Sequence, residues 1–405
     1  MAAGAPIELF DDDALQDPYP LYARMRAGGA VRRIGKSDFY AVSSWDAVVD
    51  AVARVGDFSS NLTATMQYQP DGTVAPYNMA PFGDPSQVLA IADDPVHAMH
   101  RKLLVPHLSV RKVRALEAFA AETAARLWVD GLRGGRIEWM GALANRLPML
   151  VVARLIGVPE SDVDKLVAWG YAGTQMLEGL LSADQLAAAG VSVGELAVYI
   201  AEQFARASAS PRDDLLGGLT KACAAGELDD IAALAMMITL FAAGGESTAS
   251  LLGSATWIMA TRPDIQRQVR DDPALLETFI EETLRFEPPF RGHYRHVTRD
   301  TTLAGTDLPA GSRLILLWGA ANRDPAHYES PDEFRLDRAS PKAHIAFGKG
   351  AHFCVGAALA RIEARIVLSQ LLARTTHIAA VDAGRWLPSL LVRRLEHLEL
   401  AIRTG

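Results

Sequence analysis

Phe347-Gly348-Lys349-Gly350-Ala351-His352-Phe353-Cys354-Val355-Gly356 is the stretch on which the reading of this chain turns. Three glycines around one cysteine let the backbone turn sharply and approach another body closely. Apolar residues at three- and four-residue spacing follow as far as Ala373, so Cys354 stands just before a helix. Unpaired N–H groups and the helix dipole favour an anion there, and a thiol in that place becomes a thiolate readily. A buried structural cysteine or a nucleophile would also suit an isolated residue of this kind. The other cysteine, Cys223, sits among alanines and reads as a passive small residue. Two cysteines are too few for a disulfide framework, which points to a reducing, cytoplasmic compartment.

Around that segment the 405 residues are half apolar and carry a net charge of −8. Such a balance, without a Lys/Arg run, argues against nucleic acid. Met1 to Asp13 is acidic and has neither a basic leader nor an apolar stretch, so no signal peptide or anchor is expected there. The longest uncharged run, Ile231 to Gly245, is shorter than the ~20 residues of a membrane span and ends at Glu246. Helices are expected over Val113–Leu132, Glu195–Ala207, Ile231–Thr261 and Ala274–Phe286. Short strands are expected at Phe39–Val42, Thr301–Leu303 and Arg313–Leu317. The Pro/Gly/Asn-rich stretch Gln69–Pro85 reads as a long loop of the kind that forms lids. No linker is apparent, so residues 1–405 are expected to form a single domain, mainly α with a small β part.

The cysteine segment closely resembles the cysteine-ligand loop of the cytochrome P450 family, with Phe347, Gly348, Gly350, His352, Cys354 and Gly356 at the family's spacing. Further similarities follow in order along the chain. Glu282-Thr283-Leu284-Arg285 resembles the family's Glu-x-x-Arg element, with Arg338 as the third member of a buried structural cluster. His97 and Arg101, four apart on one helix face, Arg295 and His344 match positions that contact the heme propionates. Pro18 to Arg26 resembles the family's start. Ala243-Gly244-Gly245-Glu246-Ser247-Thr248 puts two glycines inside a helix, which demands a close neighbour or a local break. By resemblance this segment crosses the distal heme face, with Glu246 as acid and Ser247 as alcohol, although Thr248 can share that role. Serine departs from the usual threonine, and its missing methyl predicts leakage to peroxide.

The resemblance implies a P450-type fold with heme b buried between a long distal helix and the cysteine loop. It implies Cys354 as the iron ligand, the thiolate favouring O–O cleavage. The cofactor would be lined by His97, Arg101, Ala243, Arg295, His344, Phe347, Gly348, His352 and Gly356. The activity implied is insertion of one atom of O2 into a small or medium organic substrate, in specialised metabolism, by a monomer. A peroxide-using or coupling heme-thiolate enzyme and a heme-containing binding protein are the rivals. Substrate-lining positions fall on Met66, Met237, Phe241, Ala242, Phe290, Leu390 and Leu391, with Arg291 or His293 expected to meet a polar group. Electrons are expected from a separate ferredoxin/ferredoxin reductase-type donor, steered by Arg111, Lys112, Lys349, Arg361 and Arg365.

Overall fold

The computed structural model describes residues 8–79, 87–210, 212–382 and 384–404. At its centre runs a 32-residue helix, Asp230–Thr261. Asp229 starts it by accepting the Ala232 N–H at 2.7 Å, and Pro263 follows its end, where a preceding residue is driven out of helical geometry. Around it pack helices Arg146–Ile156, Val163–Gln175, Ala183–Ala209, Leu275–Phe286 and Ala357–Arg374. By length and composition alone this helix is apolar enough to cross a membrane. Its apolarity has another cause: neighbouring helices pack against it along much of its length, as a core helix requires.

The Gly244-Gly245 pair is explained by a close neighbour. The helix continues unbroken through Ala243–Thr248. A Cβ on Gly244 would stand 2.9 Å from Val152 Cγ2, and one on Gly245 would collide with Met149 Cε. Both neighbours belong to Arg146–Ile156, so the glycines let two helix backbones approach.

The β part is small. Its five-stranded sheet runs in the order Val31–Arg33, Phe39–Val42, Arg313–Leu317, Gly292–Val297, Phe58–Ser59. Arg313 pairs parallel with Phe39, and Leu314 pairs antiparallel with Arg295. The two-residue period of Gly292–Val297 sends His293 and Arg295 to one face and Tyr294 to the other. A three-stranded sheet of Arg136–Glu138, Glu399–Arg403 and His377–Ala380 and three hairpins complete the β structure among the described residues.

The long-loop expectation for Gln69–Pro85 is corrected. Val74–Asn78 pairs with Ala64–Tyr68 as a hairpin whose turn begins at Gln69, and 80–85 lie outside the described residues. The alternation that marks this strand is masked by Pro76, a residue tolerated only at an edge.

The expected Glu282 cluster is present and buried. Arg285 donates to both Glu282 oxygens at 2.8 and 2.7 Å, and Arg338 Nε reaches both at 2.9 Å. One carboxylate thus meets two guanidiniums. The surplus positive charge is spread over the carbonyls of Asn322, Pro331, Glu333, Glu329 and Ser330. The network ties helix Leu275–Phe286 to the irregular segment that leads to the cysteine loop.

Candidate active site

Residues 345–357 form a tight loop that delivers Cys354 to the start of helix Ala357–Arg374. Gly348 and Gly350 both have positive φ, +69° and +70°, which other residues adopt only at a cost. These turns close through Gly348 N–H to the Ile345 carbonyl and Cys354 N–H to the Phe347 carbonyl, both 2.9 Å. Cys354 faces a cavity of about 250 Å³. Burial pushes its thiol up, while the Gly356 N–H, Arg101 and Arg361 pull it down without prevailing.

Across the cavity stands the distal helix, presenting Ala243, Gly244, Ser247 and Thr248. Ser247 Oγ donates to the Ala243 carbonyl at 2.6 Å, which leaves its lone pairs facing the cavity. Phe290, His293, Arg295 and Trp318 form a side wall, and His97, Arg101, His352 and Phe353 another. Arg295 is buried, and among the described residues its side chain donates to the adjacent Tyr294 carbonyl and forms no ion pair. Burial lowers its pKa to about 10, with Asp93 opposing, and so it remains a cation. The His97 and His352 rings lie 4.0 Å apart, and burial lowers His352 to about 4. Such walls suit a flat apolar group with an anionic edge: apolar side chains line much of the cavity, Arg295 brings to it a charge without an ion pair among the described residues, and the Cys354 sulfur lies in its wall.

The remaining expected site residues lie elsewhere. His344 does not line the cavity. Its Nδ1 accepts from Ala346 N–H, so Nε2 carries the hydrogen and donates to Glu281 at 3.0 Å. Burial drives His344 down despite that contact, and the pair is a neutral imidazole on a carboxylate. Met237 and Phe241 pack in the core with Met149 and Leu196, whereas Met66 and Leu390 pack with Tyr294 and Leu317. Ala242 turns toward Gly173, and Leu391 is likewise buried in the protein. Arg291 points away from the cavity, donating to the Leu15 and Ala14 carbonyls. Thus of the substrate positions only Phe290 and His293 reach the cavity. Trp318 Nε1 donates to His293 Nδ1, which leaves Nε2–H as this residue's free-standing donor. Burial lowers His293 to about 3, so it is neutral.

Glu246 also faces away from the cavity. Its carboxylate takes Arg394 Nε at 2.9 Å and the Thr174 hydroxyl. Cavity residues not foreseen include Trp318, Leu240, Val152 and Glu363. Leu240 was within reach of the sequence, lying seven before Ser247 and so on its face of the helix; Trp318 carried no signal.

A larger groove of about 720 Å³ is lined by Arg154, Arg206 and Arg212. Glu160 and Asp214 already pair with Arg154 and Arg212 there, so little unbalanced charge remains for a ligand. The expected basic face is similarly reduced. Arg361 meets Glu281, Arg365 meets Glu117, and Lys112 meets Asp213.

Comparison with known proteins agrees with this site. The cytochrome P450 family model matches residues 200–380. Cytochrome P450 144 of Mycobacterium tuberculosis is 66% identical over 394 residues, covering 97% of this chain and 91% of that protein. Cytochrome P450 107B1 of Saccharopolyspora erythraea is 33% identical, covering 98% and 97%. The substrate-free structure of Mycobacterium marinum CYP150A6 superposes with a TM-score of 0.82 at 29% identity, covering 98% of both chains. A central helix facing a cysteine loop across a cation-edged cavity, in a sequence so close to these relatives over nearly its whole length, belongs to the cytochrome P450 family of heme-dependent monooxygenases.

Proposed function

We propose that this chain, working as one domain, is a heme-thiolate monooxygenase in which Cys354 would bind the heme iron through its thiolate. The placement of Cys354 opposite the Ala243–Thr248 helix face, across a cavity with a cationic rim, carries this reading. Bound heme b supplies the O2 chemistry. Arg295, His97, Arg101 and His352 are the residues that would hold its propionates, Arg295 foremost because its charge forms no ion pair among the described residues. Phe347, Gly348 and Gly356 shape the thiolate side, and Ala243 leaves room on the other.

Ser247 holds a hydroxyl in the cavity, anchored to the Ala243 carbonyl, and passes protons inward, with Thr248 beside it. Glu246 feeds that hydroxyl from behind, which requires its carboxylate to leave Arg394 and rotate. A small organic substrate is oriented by Phe290 and by the neutral His293 Nε2–H, a hydrogen-bond donor rather than a charge. Matched acid and ester ligands test this: a larger spectral shift for the better acceptor, lost in His293→Phe, is expected, and equal shifts in wild type would remove the role.

Electrons come from a separate ferredoxin-type donor to a cytoplasmic monomer acting in specialised metabolism. Support for a docking face comes from exposed Arg111 and Lys349. Substrate-dependent product formation with a ferredoxin, its reductase and O2 tests the activity as a whole. Product formed with peroxide but not with that system would favour a peroxygenase instead.

A further inference from the structure

Behind the distal helix, away from the cavity, lies a buried cluster that the activity as described leaves unexplained. Glu246 meets Arg394 Nε at 2.9 Å, and the Arg394 guanidinium lies over the Tyr171 ring at 4.6 Å. Tyr171 is itself bonded to Asn145 Oδ1 at 3.0 Å, so it adds no charge. A second carboxyl, Glu178, lies in the same electrostatic neighbourhood and is only 3% exposed. Among the described residues, no hydrogen-bond partner reaches its Oε1. Its other oxygen receives the Ser389 hydroxyl, whose own oxygen already accepts the Leu391 and Val392 N–H groups at 3.0 Å. The backbone on both sides of Glu178 is pinned: its carbonyl faces Leu390 N–H, and the Gly179 carbonyl takes Tyr68 N–H at 2.8 Å. The carboxyl therefore cannot swing out to solvent without opening that junction.

Of the two carboxyls, Glu246 has the contact with Arg394, and Glu178 has no ion pair among the described residues. Arg291, the next cation, keeps its charge but is turned to the Leu15 carbonyl. Ionised, Glu178 would be a buried carboxylate with no cation in contact, which is costly. We propose that Glu178 carries the missing proton, and that by keeping the cluster neutral it is the positioning residue that holds Glu246 on Arg394 until a proton is called for. This rests on the reading of Glu246 as the acid. Burial and the Glu246 charge push Glu178 up to about 8, while Arg394, the Ser389 hydroxyl and Arg291 oppose them. Burial raises Glu246 too, with Arg394 and the Thr174 hydroxyl opposing; its ion pair with Arg394, which Glu178 lacks, is the geometric reason for leaving the proton on Glu178. Above that range, ionised Glu178 competes for Arg394, and Glu246 loses the contact that orients it.

Infrared titration of the holoprotein tests the assignment without turnover. The wild type should show a protonated-carboxyl stretch that vanishes as pH rises through about 8. Glu363, buried elsewhere and also raised to about 8, gives its own band, so the Glu178 band is read as wild type minus Glu178→Gln. Removing the hydroxyl in Ser389→Ala should shift the midpoint up, and Glu246→Gln should shift it down; these two variants carry the test if Glu178→Gln does not fold. During turnover, the wild type's peroxide fraction should climb through the same pH range, and that of Glu178→Gln should stay flat. A wild-type spectrum identical to that of Glu178→Gln, or a midpoint unmoved in both other variants, overturns the proposal. Should the infrared results hold while Glu246→Gln leaves peroxide release unchanged, the acid role of Glu246 fails instead.

Discussion

Ser247 stands where the family resemblance implies a threonine. Its hydroxyl is tethered to the Ala243 carbonyl, but no γ-methyl restricts its χ1 torsion. Ser247→Thr should lower the peroxide released per reductant consumed by about a factor of two, the effect of restricting one torsion by ~0.5 kcal/mol. Quantifying peroxide against reductant checks it, and equal fractions would count against the role. Arg295 offers a second test. Replacing it by Leu removes charge-assisted bonds worth about 1.5–3 kcal/mol, so heme should be held roughly 10- to 100-fold more weakly. Transfer of heme to an acceptor protein measures that. Where a charge or sulfur has one plausible task, as at Cys354 and Arg295, the sequence singled out residues that the structure sets in the cavity wall. Where side-chain direction decides the matter it did not: His344, Arg291 and Glu246 all turn from the cavity toward partners far along the chain.

At the scale of elements, the sequence carried the helices and strands whose periodicity is clean. Strands Phe39–Val42, Thr301–Leu303 and Arg313–Leu317 lie where they were expected, and the distal helix begins within one residue. The hairpin strand Val74–Asn78 was missed because Pro76 and the Gly72 turn mimic a loop. The helix glycines were correctly singled out, but only the packing distinguishes a close neighbour from a break. The Glu282 network gives a prediction here. In Glu282→Gln the buried guanidiniums of Arg285 and Arg338 lose their shared counter-charge, which should cost about 3–5 kcal/mol. A urea midpoint close to that of the wild type would show that the carbonyls suffice. Substrate-lining positions were the least legible of all, since an apolar stripe looks the same whether it faces core or cavity; Met66, Met237, Phe241 and Leu390 are core.

Over the whole molecule, pH acts through buried carboxyls. Burial alone would raise Glu281, but hydrogen bonds from Arg361 and His344 hold it at about 2. A depressed carboxyl stabilises the folded state above its unfolded pKa, and that contribution vanishes as pH falls through the folded value. Wild type should therefore lose about 3 kcal/mol between roughly pH 4.5 and 2 through this group, and Glu281→Gln should lose correspondingly less. Denaturant titrations at stepped pH would read the difference. The same molecule-wide arrangement gathers residues from positions 52 to 363 around one cavity, and the sulfur of Cys354 stands at its wall. The reduced carbon monoxide difference spectrum of wild type beside Cys354→Ser tests that arrangement most directly. The account predicts a Soret band at the thiolate-ligated position in the wild type and its loss from that position in the variant; spectra that coincide, or a folded wild type that takes up no heme, would contradict it.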